Sequence, residues 1–330
     1  MNDAHRYTVY GECLQSTMQF PELAESSAPE AKWRFETTAT LPPMREPVEL
    51  GADNIYADVH ARLFRHADGH RITVDDTGTF DMSADGRLVR WQRREESWPD
   101  FVRAHLMGRV LATAMFHDGW LPLHGSAVAL REGVVAFLAP RGFGKTSLAL
   151  ALTQLGARLV TDDTLPVQLP AQAVGTPAHT TADAVKSGGV LAWPGVHSVR
   201  LRADVGTALG MEAPDLETRE GKWLVNDIAA DRRAESCLPL RAIYLIDPVA
   251  PDTAALAAAR TQMPPTFAAV GVVAHVKIGR MLGPSAAAAM LERAAVITRS
   301  VPVYRLHAAR DLAQLPALAS TIAAWHGGIS

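Results

Sequence analysis

Cysteine is scarce in this sequence of 330 residues. Only Cys13 and Cys237 are present, and they lie too far apart to suggest a metal-binding motif. This scarcity fits the reducing cytoplasm better than a secreted fold held by disulfides. An excess of positive charge is also missing, because the formal net charge is −3. The sequence therefore predicts no nucleic-acid partner, which would normally require a basic face.

Long apolar segments are missing as well. The first residues, MNDAHRYTVYGE, contain no basic region followed by an apolar core, so they predict no signal peptide. The most apolar late stretch, FAAVGVVAHVKIG from Phe267, is too short for a membrane span and contains His275 and Lys277. We predict a buried strand or helix there, no membrane association and a cytoplasmic location.

The first hundred residues have the pattern of β structure. Short runs such as KWRFETT and HRITVDD are separated by polar turns that contain Gly and Pro. Near residue 100 the apolar period changes to that of a helix, which Gly119 is expected to end. The helical spacing is carried by Phe101, Leu106, Val110, Leu111 and Met115. We therefore predict a smaller β-rich N-terminal domain, residues 1–100, and a second domain, residues 101–330.

The second domain has the pattern of an α/β fold. The runs LHGSAVAL and VVAFLA predict two strands joined by a tight turn, REG. The second run is continuously apolar, which is typical of a fully buried strand. A helix from Lys145 to Leu155 and the strand ARLVT follow, and RAIYLID and VPVYRLH predict further core strands before a final helix. A mixed sheet with flanking helices accounts for this order.

A glycine-rich turn connects the apolar strand to the helix in AFLAPRGFGKTSLALAL, residues 136–152. In such a turn backbone N–H groups converge on an anion, and the helix N-terminus adds partial positive charge. Ala139 replaces the first glycine of the usual pattern, at a strand end where a methyl group need not touch phosphate. The alternative is an ordinary strand–turn–helix corner. The predicted nucleotide-binding residues are Arg141, Gly142, Phe143, Gly144, Lys145, Thr146 and Ser147.

Two acids follow the next strand, where RLVTDDTLP places Asp162 and Asp163 at the edge of the sheet that gathers ligands. One carboxylate can hold Mg²⁺ with the Thr146 hydroxyl, and the other can accept a proton from an attacking hydroxyl. A solvated Asp–Asp turn is the alternative. His124 begins the strand that precedes the glycine loop, and its ring would lie near the γ-phosphate if the two strands are neighbours. A lone histidine is more often a core or surface residue.

The run LHGSAVALREGVVAFLAPRGFGKTSLALALTQLGARLVTDD resembles the catalytic core of the HPr serine kinase/phosphorylase family and its kinase relatives. That family joins an HG-containing strand, a compact loop of the form G-x-x-G-x-G-K-[ST] and a strand end of the form [RH]-L-V-x-D-D. The resemblance implies a P-loop kinase core of the HPr kinase/phosphoenolpyruvate carboxykinase type. The matching positions here are His124–Gly125, Ala139 to Thr146, and Arg158 to Asp163.

The resemblance also implies roles for single residues. His124 lies by the transferred phosphate, Lys145 and Thr146 bind ATP and Mg²⁺, and the acid pair shares the base and metal roles. Within the pair we assign Asp162 as the base and Asp163, together with Thr146, as the metal ligand. The catalytic residues are then Asp162, His124 and Lys145.

Two further stretches refine the resemblance. The opening YTVYGECLQSTMQFPEL, the segment from Pro194 to Leu201 and Lys222 are similar to HPr-kinase-related proteins of peptide-modifying gene clusters, including lasso-peptide precursor kinases. The E-x-R-G-x-G stretch of the bifunctional HPr kinases is missing, since the corresponding region is VLAWPGVHSVRLRADVG. This departure argues against HPr as substrate and against phosphorylase activity.

The expected function is Mg²⁺-dependent transfer of the γ-phosphoryl group of ATP to a serine hydroxyl of a peptide or small protein. Two alternatives stay open: a nucleotide-binding regulatory module without transfer chemistry, and a small-molecule kinase or nucleotide hydrolase. The HPr kinases assemble as oligomers, so a homo-oligomer is expected by resemblance. Arg200, Arg202 and Lys222 are candidates for holding phosphate or an acidic peptide, although a solvated basic face is commoner. Trp193 and Trp223 are expected in the core.

Overall fold

The computed structural model describes residues 4–56, 58–95, 97–170, 189–214, 221–226, 228–249, 259–309 and 311–329. Within these residues the protein is a mixed α/β structure with a nine-stranded, an eight-stranded and a two-stranded sheet. No helix of the described part is long and apolar enough to cross a membrane. The strands are β1 His5–Val9, β2 Glu12–Ser16, β3 Ala24–Glu25, β4 Trp33–Thr38, β5 Val48–Tyr56, β6 Val59–His66, β7 Gly69–Val74, β8 Gly78–Ser83, β9 Leu88–Arg93, β10 Leu121–Leu130, β11 Gly133–Leu138, β12 Arg158–Thr161, β13 Thr164–Gln168, β14 Leu191–Ala192, β15 Val199–Leu201, β16 Trp223–Val225, β17 Leu238–Val249, β18 Ala259–Gln262 and β19 Val303–Ala309.

The α-helices follow β11 in the described chain, apart from one pair before β10. They are α1 Pro99–His105, α2 Leu111–His117, α3 Lys145–Gln154, α4 Ala203–Ala208, α5 Pro265–Val273, α6 Gly279–Leu282, α7 Ala287–Ser300 and α8 Leu315–Trp325. A π-helical turn, Leu106–Val110, joins α1 to α2. The helix predicted around residues 101–115 is therefore confirmed, and Gly119, with φ 86°, follows its end.

The N-terminal sheet contains β1 to β9 in the order β3-β1-β2-β4-β9-β8-β7-β6-β5. Its strands alternate between buried and less buried positions, as in β8, where Phe80 and Met82 are buried. This alternation gives the sheet one apolar face. The β-rich character predicted for this region is confirmed, and the runs KWRFETT and HRITVDD become β4 and β7. The domain boundary near residue 100 stays a prediction.

The second sheet has the order β11-β10-β13-β14-β17-β19-β18, with β12 also paired to β10. It is mixed, since β10 and β11 are antiparallel whereas β11 and β17 are parallel. Both faces of β11 are buried: Val134 and Leu138 belong to one apolar cluster, and Val135 and Phe137 belong to the other, which includes α3 and α8. The predicted mixed sheet with flanking helices is confirmed.

The apolar stretch from Phe267 forms α5 and the turn after it. Ala268 and Val272 are buried on the helix, whereas Phe267 is 68% exposed and Val270 is 58% exposed. The prediction of a buried strand or helix therefore holds for one side of this helix only. Composition cannot show this, because all faces of the helix are apolar.

The two larger sheets share one apolar cluster. It joins Phe35 and Phe80 of the N-terminal sheet to Leu123 and Val134 of the second sheet and to Val272 of α5. This continuity joins the first half of β10, where His124 lies, to the rest of the molecule.

Candidate functional site

The glycine loop lies between the end of β11 and the start of α3, as the sequence predicts. Gly142 and Gly144 have φ of 83° and 85°, a left-handed conformation that favours glycine. A Cβ atom at either position would meet no atom within 4 Å, so the surrounding space is open. The first N–H groups of α3 have no acceptor within the helix, which is the general property that lets a helix N-terminus bind anions.

The Lys145 side chain turns back over this loop. Its Nζ donates to the carbonyl oxygens of Ala139 at 2.8 Å and Pro140 at 3.2 Å. Burial lowers the pKa of Lys145 to about 8, and the carboxylates of Asp162 and Asp163 act in the opposite direction. The ammonium group is therefore held at the loop and near the acid pair.

Asp162 and Asp163 form the turn between β12 and β13, and their side chains have different surroundings. Asp162 accepts a hydrogen bond from Ser126 Oγ at 2.7 Å, and it also accepts from the Thr146 hydroxyl and the backbone N–H of Arg200. Burial raises the pKa of Asp162 to about 7, despite these three hydrogen bonds. Asp162 therefore lies directly against the first turn of α3.

Asp163 contacts a different set of groups. Lys277 Nζ donates to both carboxylate oxygens, at 2.6 and 2.7 Å, and His124 Nδ1 lies 3.4 Å from Oδ1. The Asp163 side chain is 55% exposed to the cavity. The surrounding protein would raise the pKa of Asp163, but Lys277 and His124 hold it well below the usual range. Asp163 is thus kept ionised, on the side of His124.

His124 lies in β10 beside the end of β11, because Gly125 pairs with Leu138 across the two strands. Its Nδ1 is also 3.2 Å from the Asp163 carbonyl oxygen. Burial, and then the nearby charge of Lys277, lower the pKa of His124. The neighbouring strands that the sequence analysis required for a role of His124 are present.

The structure brings all the predicted site residues to one cavity of about 2200 Å³. The residues of the prediction that line it are His124, Arg141, Gly142, Phe143, Gly144, Lys145, Thr146, Ser147, Asp162 and Asp163. Arg200, Arg202 and Lys222 also line it, but Arg202 is exposed and paired with Asp204 at 2.7 Å. The roles of all these residues stay predictions.

The two tryptophans named in the sequence analysis lie in the core, as predicted. Trp193 is fully buried and its indole N–H donates to Gln168 Oε1 at 3.0 Å. A Cβ atom at Gly11 would lie 2.1 Å from the Trp193 ring, so this glycine is needed for the close approach. Trp223 is 7% exposed and packs in the same way against Gly206.

The sequence analysis missed Lys277 and Ser126 as members of the site. Ser126 follows His124 by two residues, so strand periodicity places both on one face and could have indicated it. The only signal for Lys277 is a charged residue within an apolar stretch. Gly108 of the π-helical turn was also missed: a Cβ there would lie 3.3 Å from Asp163 Oδ2 and 3.7 Å from Lys277 Cε.

The chemistry of the side chains fits Mg²⁺. Thr146, Asp162 and Asp163 supply a hydroxyl and two carboxylates, the hard oxygen ligands that this ion prefers together with water. Within the described ranges, no group of three or more His, Cys, Asp or Glu residues could hold a metal ion by protein ligands alone. The open loop and the adjacent oxygen donors therefore fit a Mg²⁺–nucleotide complex.

Comparison with known proteins gives little further information about the function of this site. No family model matches the chain, and no curated protein matches it. Among solved structures, it is similar to the HPr(Ser) kinase/phosphatase from Coxiella burnetii, with a TM-score of 0.31 and 13% sequence identity. The match covers 62% of this chain and 95% of that chain. The likeness is a distant structural relation, too weak to decide the activity.

Proposed function

We propose that this protein is a Mg²⁺-dependent, HPr-kinase-like kinase that transfers the γ-phosphoryl group of ATP to a serine hydroxyl of a peptide or small protein. The observation that carries the proposal is the meeting of the glycine loop with the acid pair. Thr146, in the first turn after the loop, donates to Asp162, while Asp163 lies beside His124. The glycine loop, the two carboxylates and His124 thereby line one cavity, which supports a phosphate-binding role for the first and a proton-accepting role for one of the acids.

The loop residues would hold the phosphates, and catalysis would come from positioning and charge neutralisation. Lys145 supplies a cation next to the backbone N–H groups of the loop. Mg²⁺ would be held by Thr146 and Asp163, and it would supply further neutralisation of the phosphate charge. A lasso-peptide precursor is one candidate for the acceptor, and its only support is the resemblance of the opening segment, of Pro194 to Leu201 and of Lys222.

The proton of the serine hydroxyl would pass to Asp162. A pKa of about 7 supports this role, because a general base works best when its pKa lies near the working pH. The low pKa of Asp163 supports its role as an anionic metal ligand. The hydrogen bond from Thr146 to Asp162 favours the opposite assignment, with Asp162 as the metal ligand and Asp163 as the base, since it places Asp162 next to the metal-binding hydroxyl.

Two asparagine variants distinguish the two assignments of the base and the metal ligand. Loss of a general base lowers rates roughly 10²- to 10⁴-fold. We expect Asp162→Asn to lower kcat by this factor with unchanged ATP affinity and unchanged Mg²⁺ requirement, and Asp163→Asn to raise the Mg²⁺ concentration needed for half-maximal activity. If instead Asp162→Asn raises the Mg²⁺ requirement and Asp163→Asn lowers kcat, Asp162 is the metal ligand and Asp163 is the base.

The nucleotide site itself is tested by Lys145→Ala. Removing a charge-assisted hydrogen bond worth about 1.5–3 kcal/mol should weaken binding of ATP roughly 10- to 100-fold. The measurement is calorimetric titration with a non-hydrolysable ATP analogue. Arg299→Ala, on an exposed position of α7, is the control and should bind as the wild type. Unchanged affinity in Lys145→Ala would remove the nucleotide-binding proposal.

The acceptor is tested by transfer of labelled phosphate to a serine-peptide library. We expect labelled peptide and ADP in equal amounts. Tight ATP binding without any transfer would identify a regulatory module instead. Phosphate release at the same rate with and without peptide would identify a hydrolase, and a labelled compound in a metabolite mixture would identify a small-molecule kinase.

A further inference from the structure

We propose that Lys277 is an additional catalytic residue, whose ammonium group contacts the phosphoryl group while it passes to the acceptor hydroxyl. This inference rests on the proposed function. It adds a cation on the side of His124 and Asp163, where the sequence motifs provide none.

The contacts of the Lys277 side chain carry the proposal. Its Nζ lies 2.6 and 2.7 Å from the two carboxylate oxygens of Asp163 and 3.5 Å from His124 Nδ1. The side chain is 8% exposed, yet the residue lines the same cavity as the glycine loop. A cation is thus held, largely shielded from water, between two residues that the proposed transfer uses.

The backbone of Lys277 is fixed to the strand that carries His124. The Lys277 N–H donates to the Pro122 carbonyl at 2.9 Å, and the His124 N–H donates to the His275 carbonyl at 2.7 Å. Leu123 and Val276 form an antiparallel bridge between these two bonds. Residues 275–277 therefore act as a short extra strand beside β10, which keeps Lys277 and His124 in a constant relation.

Residues 279–283, which come after Lys277 in the chain, pack against the N-terminal sheet. A Cβ at Gly51 of β5 would lie 2.4 Å from the Arg280 carbonyl oxygen, and a Cβ at Gly283 would lie 1.9 Å from the Leu50 carbonyl oxygen. Asp53 of β5 lies 3.7 Å from Arg280 and 3.4 Å from Arg109 of the π-helical turn. The edge of β5 and residues 279–283 are thus closely packed, which ties the segment that follows Lys277 to the N-terminal sheet.

A fixed and desolvated cation is effective where negative charge moves during a reaction. In the proposed step the bond from the serine oxygen to phosphorus forms, and the bond from phosphorus to the leaving oxygen of ADP breaks. The hydroxyl proton goes to Asp162, and Lys277 stays protonated throughout. Its contribution is attraction to the transferring oxygens, as with the cationic groups that other phosphoryl-transfer enzymes use.

The test compares Lys277→Met with Lys277→Arg and the wild type. We expect Lys277→Met to lower kcat roughly 10²-fold or more, as for loss of one preorganised charge-stabilising group. The KM for ATP should stay within about threefold, because the loop and Lys145 are intact. A third variant, Lys277→Ala, leaves the space of the lysine side chain empty, and added ethylamine should restore part of the lost rate there because an alkylammonium ion can take the place of the missing ammonium group. A merely structural role would not give this rescue.

The control is Arg305→Met, which removes a cation from an exposed ion pair with Asp247 that does not line the cavity. It should keep the wild-type kcat. Should Lys277→Met not fold, as judged by thermal unfolding, the uncharged Lys277→Gln decides: it keeps a polar group beside Asp163 and should lower kcat roughly 10²-fold at an unchanged KM for ATP. Lys277→Arg, which keeps the charge, should retain more activity than the uncharged variants. A kcat within twofold of the wild type in the folded uncharged variant overturns the inference and leaves the proposed function standing. A wild type that phosphorylates no hydroxyl at all overturns the proposed function, and the inference with it.

Discussion

His105, at the end of α1, is a buried titratable residue. It is 4% exposed, and neither of its ring nitrogens has a hydrogen-bond partner among the residues described by the structure. Burial, assisted by the charge of Arg109, lowers the pKa of His105 to about 3. The ring is therefore neutral in the folded protein between pH 6.5 and about 3, where an exposed histidine would already be charged.

This difference predicts how stability depends on pH. Between pH 6.5 and about 3 the unfolded chain binds a proton at His105 and the folded chain does not, so the free energy of unfolding falls as pH falls. One such proton changes this free energy by about 1.4 kcal/mol per pH unit. Urea unfolding between pH 7 and 4.5 should therefore show a smaller pH dependence in His105→Gln than in the wild type. Equal slopes in the two proteins would contradict the assignment.

The residues of the site differ in how far the sequence could predict them. The glycine loop and the acid pair are contiguous motifs, so their chemistry is visible from residue types and spacing, and the structure brings them together. Lys277 and Asp163 are 114 residues apart, and only the pairing of residues 275–277 with β10 brings them into contact. A single lysine in an apolar stretch does not predict such a contact.

At the scale of elements, the π-helical turn before β10 is a feature that the spacing of apolar residues does not predict. The apolar spacing predicts one helix, and a helix is present, but a widened turn occupies Leu106–Val110, where Met107 and Gly108 are buried besides the predicted Leu106 and Val110. The turn is supported from the N-terminal sheet, because the Tyr10 hydroxyl donates to the Met107 carbonyl at 2.7 Å. It places the backbone of Gly108 against Asp163 and Lys277.

The close approach at Gly108 predicts a graded effect of side-chain size. Gly108→Ala would put a Cβ 3.3 Å from Asp163 Oδ2, a contact that a shift of a few tenths of an ångström relieves. Gly108→Val should displace Asp163 and Lys277 further, and a displacement near 1 Å costs roughly 10²-fold in rate. Transfer rates and ATP-analogue affinities of both variants are the measurements, and the affinities should not change. Equal activity of Gly108→Val and the wild type would show that the turn does not position the acid pair.

For the whole molecule, the sequence predicted the α/β class and the β-rich character of the first hundred residues, because these depend on local periodicity. It could not show how the two larger sheets meet. That contact depends on residues such as Gly11, which receives the Trp193 ring, and Gly51, which receives the backbone of Arg280. The resulting apolar cluster runs through both sheets without interruption.

The shared cluster predicts that residues 101–330 do not fold alone. Their removal from the N-terminal sheet would uncover the Trp193 ring, which packs on Gly11, together with other apolar residues of the cluster, and would leave the Met107 carbonyl without the Tyr10 hydroxyl. Exposing that much apolar surface costs about 25 cal/mol for each Å², against a total stability of only about 5–15 kcal/mol. The full chain should therefore unfold in a single transition by calorimetry, and the fragment should show no cooperative transition. A fragment that unfolds cooperatively and binds the ATP analogue as the full chain does would instead establish an independent domain, with its boundary near residue 100.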